Sequence, residues 1–372
     1  MSADETAVPA AQLPSDATLR PVPTIEGLAP GTVRDWLNWA ESELASTSDS
    51  ARADAEVLLA KLIGSERSQL RLRHEDAIEA ATVLRYASTI ERRKLGEPVA
   101  YITTRQGFWT LELAVDTAVL IPRPDTETLV EWALSILDAS FPRRRESSSA
   151  SAASPKVLDL GTGSGAIALA IASERADAQV IATDVSEAAL DVARENARLN
   201  GVGNVEFICS FWLQGLSKSP LPTGERFGRP GLTQRQSGLC QTRVRDSGQV
   251  EHSVASESLT PSPSPGGRGE TIAPFDLIVS NPPYIAEGDA HLAALRYEPR
   301  LALTSGAVGL DAIREIIREA PKHLKSGGRL LLEHGHDQAV AVRALLSEAG
   351  FTKVETRQDF GGNERCSGGR KP

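Results

Sequence analysis

Asn281-Pro282-Pro283-Tyr284 is the group of residues whose order most narrows the chemistry open to this chain. The apolar run before it, Phe275-Asp276-Leu277-Ile278-Val279-Ser280, reads as a buried parallel strand. Two prolines cannot continue a ladder, because proline lacks an N–H and holds φ fixed. The backbone must leave the sheet at the carboxyl end of the strand, where open α/β sheets bind ligands. There the Asn281 side-chain oxygen and the unpaired carbonyl of Pro282 are expected to face a cleft. Two acceptors side by side suit a planar NH2 group with its two donors. Tyr284 is placed to pack against the flat group that carries it. Methylation of an amide or exocyclic amine has these needs; an ordinary Pro-Pro turn is the bland alternative.

A second constellation lies upstream. Val157-Leu158-Asp159-Leu160 runs into Gly161-Thr162-Gly163-Ser164-Gly165, and a helix-prone stretch follows over 166–172. Glycines let a ligand approach the backbone closely, and a helix N-terminus offers free N–H groups. Gly161, Gly163 and Ala166 also fit the dinucleotide fingerprint, so the loop alone is ambiguous. A strand over 179–183 ends at Asp184, 23 residues after Gly161. That is near the ~20-residue spacing at which an acid reaches ribose hydroxyls in Rossmann-type sheets. Ser186 is expected to cap the next helix, running to about residue 200. Asp159, just before the loop, suits a cationic ligand better than a pyrophosphate. S-adenosylmethionine, a sulfonium with an amino-acid tail and no phosphate, is the favoured ligand. A dinucleotide and a ligand-free turn are the alternatives.

Holding these residues together requires a doubly wound sheet. A helix over 311–322, a glycine turn at 327–328, a strand over 329–333, a helix over 338–349 and a strand near Val354 would complete it. Upstream, helical spacing links Val33, Trp36, Leu37, Ala40 and Leu44, then Ala55, Leu58, Leu59 and Leu62. Ala81, Leu84, Ala87 and Ile90 form a further stripe, so a bundle of four or five helices is predicted. Alternation over 107–115, with 118–121, predicts a hairpin between the two parts. The expected organisation is a disordered tail over 1–29, a helical domain over 30–105, a hairpin linker over 106–128 and a catalytic domain over 129–372. Two stretches interrupt that last domain. Residues 141–155 hold Arg143-Arg144-Arg145 and a Ser/Ala run, and residues 217–272 are rich in Gly, Pro and Ser. Periodic apolar residues are almost absent from the longer stretch, so it cannot offset its ordering entropy. Both are expected to be disordered insertions, which loop-closure entropy lets the core tolerate. An arm of arginines (Arg226, Arg229, Arg235, Arg243, Arg245) that binds a partner is the alternative for the longer one.

Glycine loop, acid and Asn-Pro-Pro-Tyr, in that order, resemble class I methyltransferases that act on amide or amino nitrogens. Within that group, Leu120-Ile121-Pro122-Arg123-Pro124-Asp125-Thr126-Glu127 is similar to a segment of the release factor glutamine methyltransferases, the HemK/PrmC family. So are Gly96-Glu97-Pro98-Val99-Ala100-Tyr101-Ile102 and Tyr297-Glu298-Pro299-Arg300-Leu301-Ala302-Leu303. The likeness runs from about residue 30 to the C-terminus, apart from the two insertions. It implies a class I (Rossmann-like) doubly wound sheet whose last strands form an antiparallel pair, with a small N-terminal helical domain that docks substrate. The implied activity is methyl transfer from S-adenosylmethionine to the side-chain nitrogen N5 of the glutamine in the Gly-Gly-Gln loop of class I release factors. Carried over by position, Gly161, Thr162, Gly163, Ser164 and Gly165 would hold the donor and Asp184 its ribose. Asn281, Pro282, Pro283 and Tyr284 would hold the substrate, with Asn281 and Pro282 catalytic and Asn281 also touching the donor. Trp212 falls where the family often has an adenine contact. Phe211 departs from the small or acidic residue of many members, which leaves adenine contact or core packing open for both aromatics.

The net charge of −9 argues against a protein that lives on phosphate backbones and so against direct nucleic-acid binding. Cys209, Cys240 and Cys366 form no C-x-x-C, which indicates neither a disulfide framework nor a zinc site and fits the reducing cytosol. No apolar run reaches about 18 residues, and Asp4 and Glu5 spoil a signal peptide, so a cytoplasmic enzyme without membrane contact is expected. His334-Gly335-His336 reads as a strand exit rather than a metal site. Arg123 and Asp125 either line the cleft or form a cap and salt bridge for the helix starting near Thr126, and Glu298 and Arg300 either shape the substrate channel or form a structural ion pair. The competing functions are methylation of a ribosomal-protein glutamine, methylation of a nucleic-acid amino group, and donor binding silenced by the insertions.

Overall fold

The structure is a computed structural model that describes residues 31–142, 154–214, 216, 243–244, 250–251 and 274–372. The expected tail over 1–29 and most of the two expected insertions lie outside the described residues. Two compact units, Met1–Thr103 and Thr104–Pro372, divide the chain.

In the first unit, α1 (Val33–Leu44) opens with a capping box. Thr32 Oγ1 accepts from the Asp35 N–H, and the Asp35 carboxylate accepts from the Thr32 N–H. The helix buries Val33, Trp36, Leu37, Ala40 and Leu44, the stripe predicted for it. α2 (Ala51–Ile63) stops at Gly64, whose left-handed conformation closes the helix. α3 (Ala80–Lys94) differs from expectation: it buries Val83, Tyr86, Ala87 and Ile90 and exposes Ala81 and Leu84. Tyr86 sets that rotation. Its hydroxyl donates to the Ala55 carbonyl at 2.9 Å and its ring meets Trp39 edgewise. A buried aromatic with a satisfied hydroxyl outweighs a leucine at the edge of the stripe. α4 (Val99–Thr103) ends the unit.

The second unit begins with the hairpin of β1 (Arg105–Phe108) and β2 (Leu111–Ala114). α5 (Glu127–Ser140), β3 (Lys156–Leu160), α6 (Ala166–Glu174), β4 (Gln179–Asp184), α7 (Glu187–Leu199) and β5 (Val205–Cys209) follow. β6 (Arg243–Val244) and β7 (Val250–Glu251) pair with each other. Then come β8 (Phe275–Ser280), α8 (Asp311–His323), β9 (Leu324–Glu333), α9 (Ala339–Glu348), β10 (Thr352–Gln358) and β11 (Glu364–Arg370). Seven of these strands form one sheet in the order β10-β11-β9-β8-β3-β4-β5. The five from β9 to β5 are parallel, and β11 is antiparallel to both β9 and β10.

The parallel strands are buried on both faces. Val157, Val180, Ala182, Leu277 and Val279 pack with α5 and α6, while Leu158, Leu160, Ile181 and Ile278 pack with α8. Alternation of side chains across a pleat fills both layers from a continuous apolar run. Two details depart from the sequence reading. Gly327 and Gly328 lie inside β9, where the pairing with β8 slips between Phe275 and Leu277. Gly327 has φ 80° there, a bulge conformation rather than a turn. β11 is a strand in spite of Gly368 and Gly369. A Cβ on Gly368 would lie 2.4 Å from Leu331 Cδ2, and one on Gly369 2.8 Å from Phe351 Cβ, so close packing requires glycine at both.

Candidate active site

One rung of the sheet aligns Thr183 of β4, Leu160 of β3, Ser280 of β8 and Leu332 of β9. The next residue of each strand is Asp184, Gly161, Asn281 or Glu333, so four residues distant in sequence emerge side by side at the carboxyl edge. Chain order reverses between β3 and β8, and such a switch point opens a crevice between the loops leaving the two strands. Ser280 Oγ ties the two ends together by donating to the Leu160 carbonyl at 2.7 Å. A cavity of about 840 Å³ opens there. Gly161, Thr162, Gly163, Ser164, Asp184, Phe211, Trp212, Asn281 and Pro283 line it. Gly165, Pro282 and Tyr284 do not.

The glycine loop is fixed from below. Gly161 and Gly163 have φ of 69° and 54°, the left-handed region that favours glycine. Asp159 is fully buried under the loop and accepts from the Thr162 hydroxyl at 2.6 Å, so its carboxylate supports the loop instead of facing the cavity. Burial pushes its pKa from 3.8 up to about 7, with the nearby Asp184 charge adding to the rise. Between 3.8 and about 7 the folded chain keeps a proton that the unfolded chain releases. This contribution to stability is full below the unfolded value and lost as pH rises through the folded one. Asp159→Asn is therefore expected to gain stability relative to the parent as pH rises across that window, read by urea unfolding at each pH. A difference independent of pH would contradict this assignment.

Gly165 has a different task. It sits at the start of α6 with φ 85°, and a Cβ there would lie 3.0 Å from Leu169 Cδ1 and 3.2 Å from Ala193 Cβ. It permits α6 and α7 to pack and leaves the cavity wall to the four residues before it.

Asp184 accepts from the Gly163 N–H through Oδ2 and from the Ser186 N–H through Oδ1, both at 2.9 Å. Burial raises its pKa, opposed by those N–H groups and that of Val185. Ser186 caps α7 as predicted, accepting from the Ala189 N–H. Trp212 has φ 47°, strained for a residue with a side chain. Its ring covers Gly161: a Cβ added there would meet Trp212 Cζ3 at 3.3 Å. Phe211 stands 6.0 Å from it, centroid to centroid, and both rings line the cavity.

On the opposite wall, Asn281 Nδ2 donates to Thr126 Oγ1 at 3.2 Å. Pro282 is buried behind the wall, and the Tyr284 hydroxyl points away to Glu333 Oε1 at 3.3 Å. Burial raises the Tyr284 pKa well above its ordinary value, with Glu333 adding to the effect. Arg123 lines the cavity and also pairs with buried Glu298, which accepts from the Ile121 N–H at 3.1 Å. Lining and ion pairing, alternatives in the sequence, coincide in this residue. Asp125 pairs instead with Arg365 at 3.1 Å. His334 is buried, its Nε2 2.7 Å from Ser367 Oγ and its Nδ1 2.8 Å from the Gly335 carbonyl. Thr126 and Glu333 are site neighbours to which sequence reasoning gave no role, although Thr126 lies in the segment over 120–127 that carries the family resemblance.

Residues 35–103 match the PrmC N-terminal domain family, and residues 152–224 match a methyltransferase domain family. The release factor glutamine methyltransferase of Xylella fastidiosa (strain Temecula1) is 42% identical over 330 residues, spanning 88% of this chain and 96% of the relative. That of Burkholderia pseudomallei is 42% identical over 338 residues, 89% of this chain and 96% of the relative. The Pseudomonas aeruginosa protein of the same name is 41% identical, across 87% of this chain and 94% of its own length. With such identity over nearly the whole of each relative, this chain belongs to the release factor glutamine methyltransferase family.

Proposed function

We propose that this enzyme transfers the methyl group of S-adenosylmethionine to the side-chain nitrogen N5 of the glutamine in the Gly-Gly-Gln loop of class I release factors. The observation that carries this reading is the orientation of Asn281. Its Nδ2 is committed to Thr126, so Oδ1 is the end left to accept from an amide NH2 in the cavity.

The donor fits the opposite wall. Asp184 offers remaining carboxylate lone pairs to ribose hydroxyls, Gly161 and Gly163 let the donor approach the loop backbone closely, and Phe211 and Trp212 offer flat faces to adenine. When bound, S-adenosylmethionine supplies an electrophilic methyl carbon on a sulfonium. A primary amide nitrogen is a weak nucleophile because its lone pair is delocalised into the carbonyl. Accepting an N–H at Asn281 Oδ1 holds the nitrogen facing that carbon and favours electron density on it. The N–CH3 bond forms as the S–CH3 bond breaks, the sulfur leaves as a neutral thioether, and the nitrogen releases a proton to solvent. Positioning is the larger contribution, since well-oriented reactants gain on the order of 7–11 kcal/mol. Pro282, buried and outside the cavity lining, supports Asn281 from behind the wall. The helical unit over residues 30–105 docks the release factor, and the reaction takes place in the cytoplasm.

The test is transfer of labelled methyl to purified release factor beside its Gln→Ala variant in the Gly-Gly-Gln loop. Label on the parent only is expected. Equal label on both would remove the glutamine from the account, and no label with intact donor binding would redirect it to ribosomal-protein or nucleic-acid acceptors. In the same assay, a chain lacking residues 1–100 should lose kcat/KM on the intact factor; an unchanged value would reject docking.

A further inference from the structure

The two ends of an asparagine amide have the same shape, so something beyond packing must decide whether Asn281 presents oxygen or NH2 to the cavity. Its neighbour Thr126 cannot decide alone, because a hydroxyl both donates and accepts. Behind Thr126 lies Glu333, 1% exposed and one residue past the shared rung. Its Oε1 accepts the Tyr284 hydroxyl at 3.3 Å, and its Oε2 is buried with no hydrogen-bond partner among the described residues. The Thr126 side chain lies near enough to the same carboxylate to favour its ionised form, without a formed hydrogen bond to Oε2.

We propose that Glu333, acting through Thr126, fixes the polarity of the Asn281 amide and is thereby a positioning residue for the acceptor nitrogen. A carboxylate only accepts, so it draws the single Thr126 proton to itself. The lone pairs of Thr126 are then what Asn281 meets, Nδ2 turns to them, and Oδ1 faces the cavity. Without the carboxylate, Thr126 is free to donate to Oδ1. The amide then turns over and its NH2 confronts the substrate NH2, donor against donor.

Tyr284 after β8, Thr126 and Asp125 before α5, and Arg365 and Cys366 of β11 all act on Glu333. Arg365 divides its charge among carboxylates, reaching Asp125 at 3.1 Å and Asp359 at 3.2 Å. Burial dominates and raises the Glu333 pKa to about 7. Protonation near neutrality would give the carboxyl a donor of its own and weaken its hold on Thr126.

This inference rests on the acceptor role of Asn281, and the test separates the two. Methyl transfer to purified release factor, donor Kd and Tm are measured for the parent, Glu333→Gln, Thr126→Val, Thr126→Ser and the double variant Glu333→Gln/Thr126→Val. Glu333→Gln and Thr126→Val are each expected to lose about tenfold in kcat, the worth of one well-placed hydrogen bond, with donor Kd and Tm retained. The double variant should lose no more than either single one, and Thr126→Ser should keep parental kcat. The parental kcat should fall as pH drops through about 7, and Glu333→Gln should lack that limb. Parental kcat in Glu333→Gln, or losses that multiply in the double variant, would overturn the proposal. A parent that labels no release factor would sink the substrate reading instead. In that case the polarity is still read from the Asn281 side-chain NH2 resonances in a 15N spectrum. They move in Glu333→Gln if the amide turns over and stay fixed if the proposal is wrong.

Discussion

Asn281→Ala is expected to lower kcat by about 10²–10³-fold, the range seen when one preorganised polar group at a reacting centre is removed. The argument runs through what the residue does and does not touch. Its side chain leaves the edge of β8 one residue after Ser280, and Nδ2 is held by Thr126 at 3.2 Å. Truncation removes the acceptor for the substrate amide while Ser280 still ties β8 to β3 through the Leu160 carbonyl. Fold and donor affinity should therefore survive, with the loss falling on kcat and only slightly on KM. Asn281→Asp, which keeps an acceptor of similar shape, should lose less. Near-parental kcat in Asn281→Ala would remove the acceptor from the mechanism.

The second large effect is expected on donor binding. Asp184→Ala removes both acceptors that hold the Gly163 and Ser186 N–H groups at 2.9 Å, together with the carboxylate assigned to the ribose. A hydrogen bond to a charged group is worth about 1.5–3 kcal/mol, so donor Kd should rise about tenfold to a hundredfold. Loosening of the loop adds to this, because Gly163 keeps its positive φ of 54° with one anchor fewer. Asp184→Asn, which retains one acceptor oxygen, should fall between the two. Isothermal titration with S-adenosylmethionine checks the order, and an unchanged Kd in Asp184→Ala would move the ribose elsewhere.

What could be read from the sequence was local. The run over 275–280 and its two prolines specify a buried strand and its exit within ten residues, and β8 spans Phe275–Ser280. The capping residue Ser186 is equally local and caps as expected. Glycine was harder, because one letter serves two purposes. Gly163 frees the backbone beside the cavity, whereas Gly165, two residues on, makes room for Leu169 and Ala193. Gly368 and Gly369 hid a strand, since their reason is the pressure of Leu331 and Phe351, residues distant in sequence. Tyr86 shifted the buried face of α3 for the same kind of reason, its partner Ala55 lying on another helix. Thr126 and Glu333 were illegible as a pair. They are brought to Asn281 only by the register of β8 against β9 and by the segment entering α5, and no spacing along the chain encodes that meeting.

Tandem mass spectrometry of release factor after reaction, run with the parent enzyme and with Asn281→Ala, tests the central claim most directly. The account predicts one added methyl on the side-chain nitrogen of the Gly-Gly-Gln glutamine with the parent, and almost none with the variant under the same conditions. A methyl on any other atom, or equal methylation by both enzymes, would contradict it.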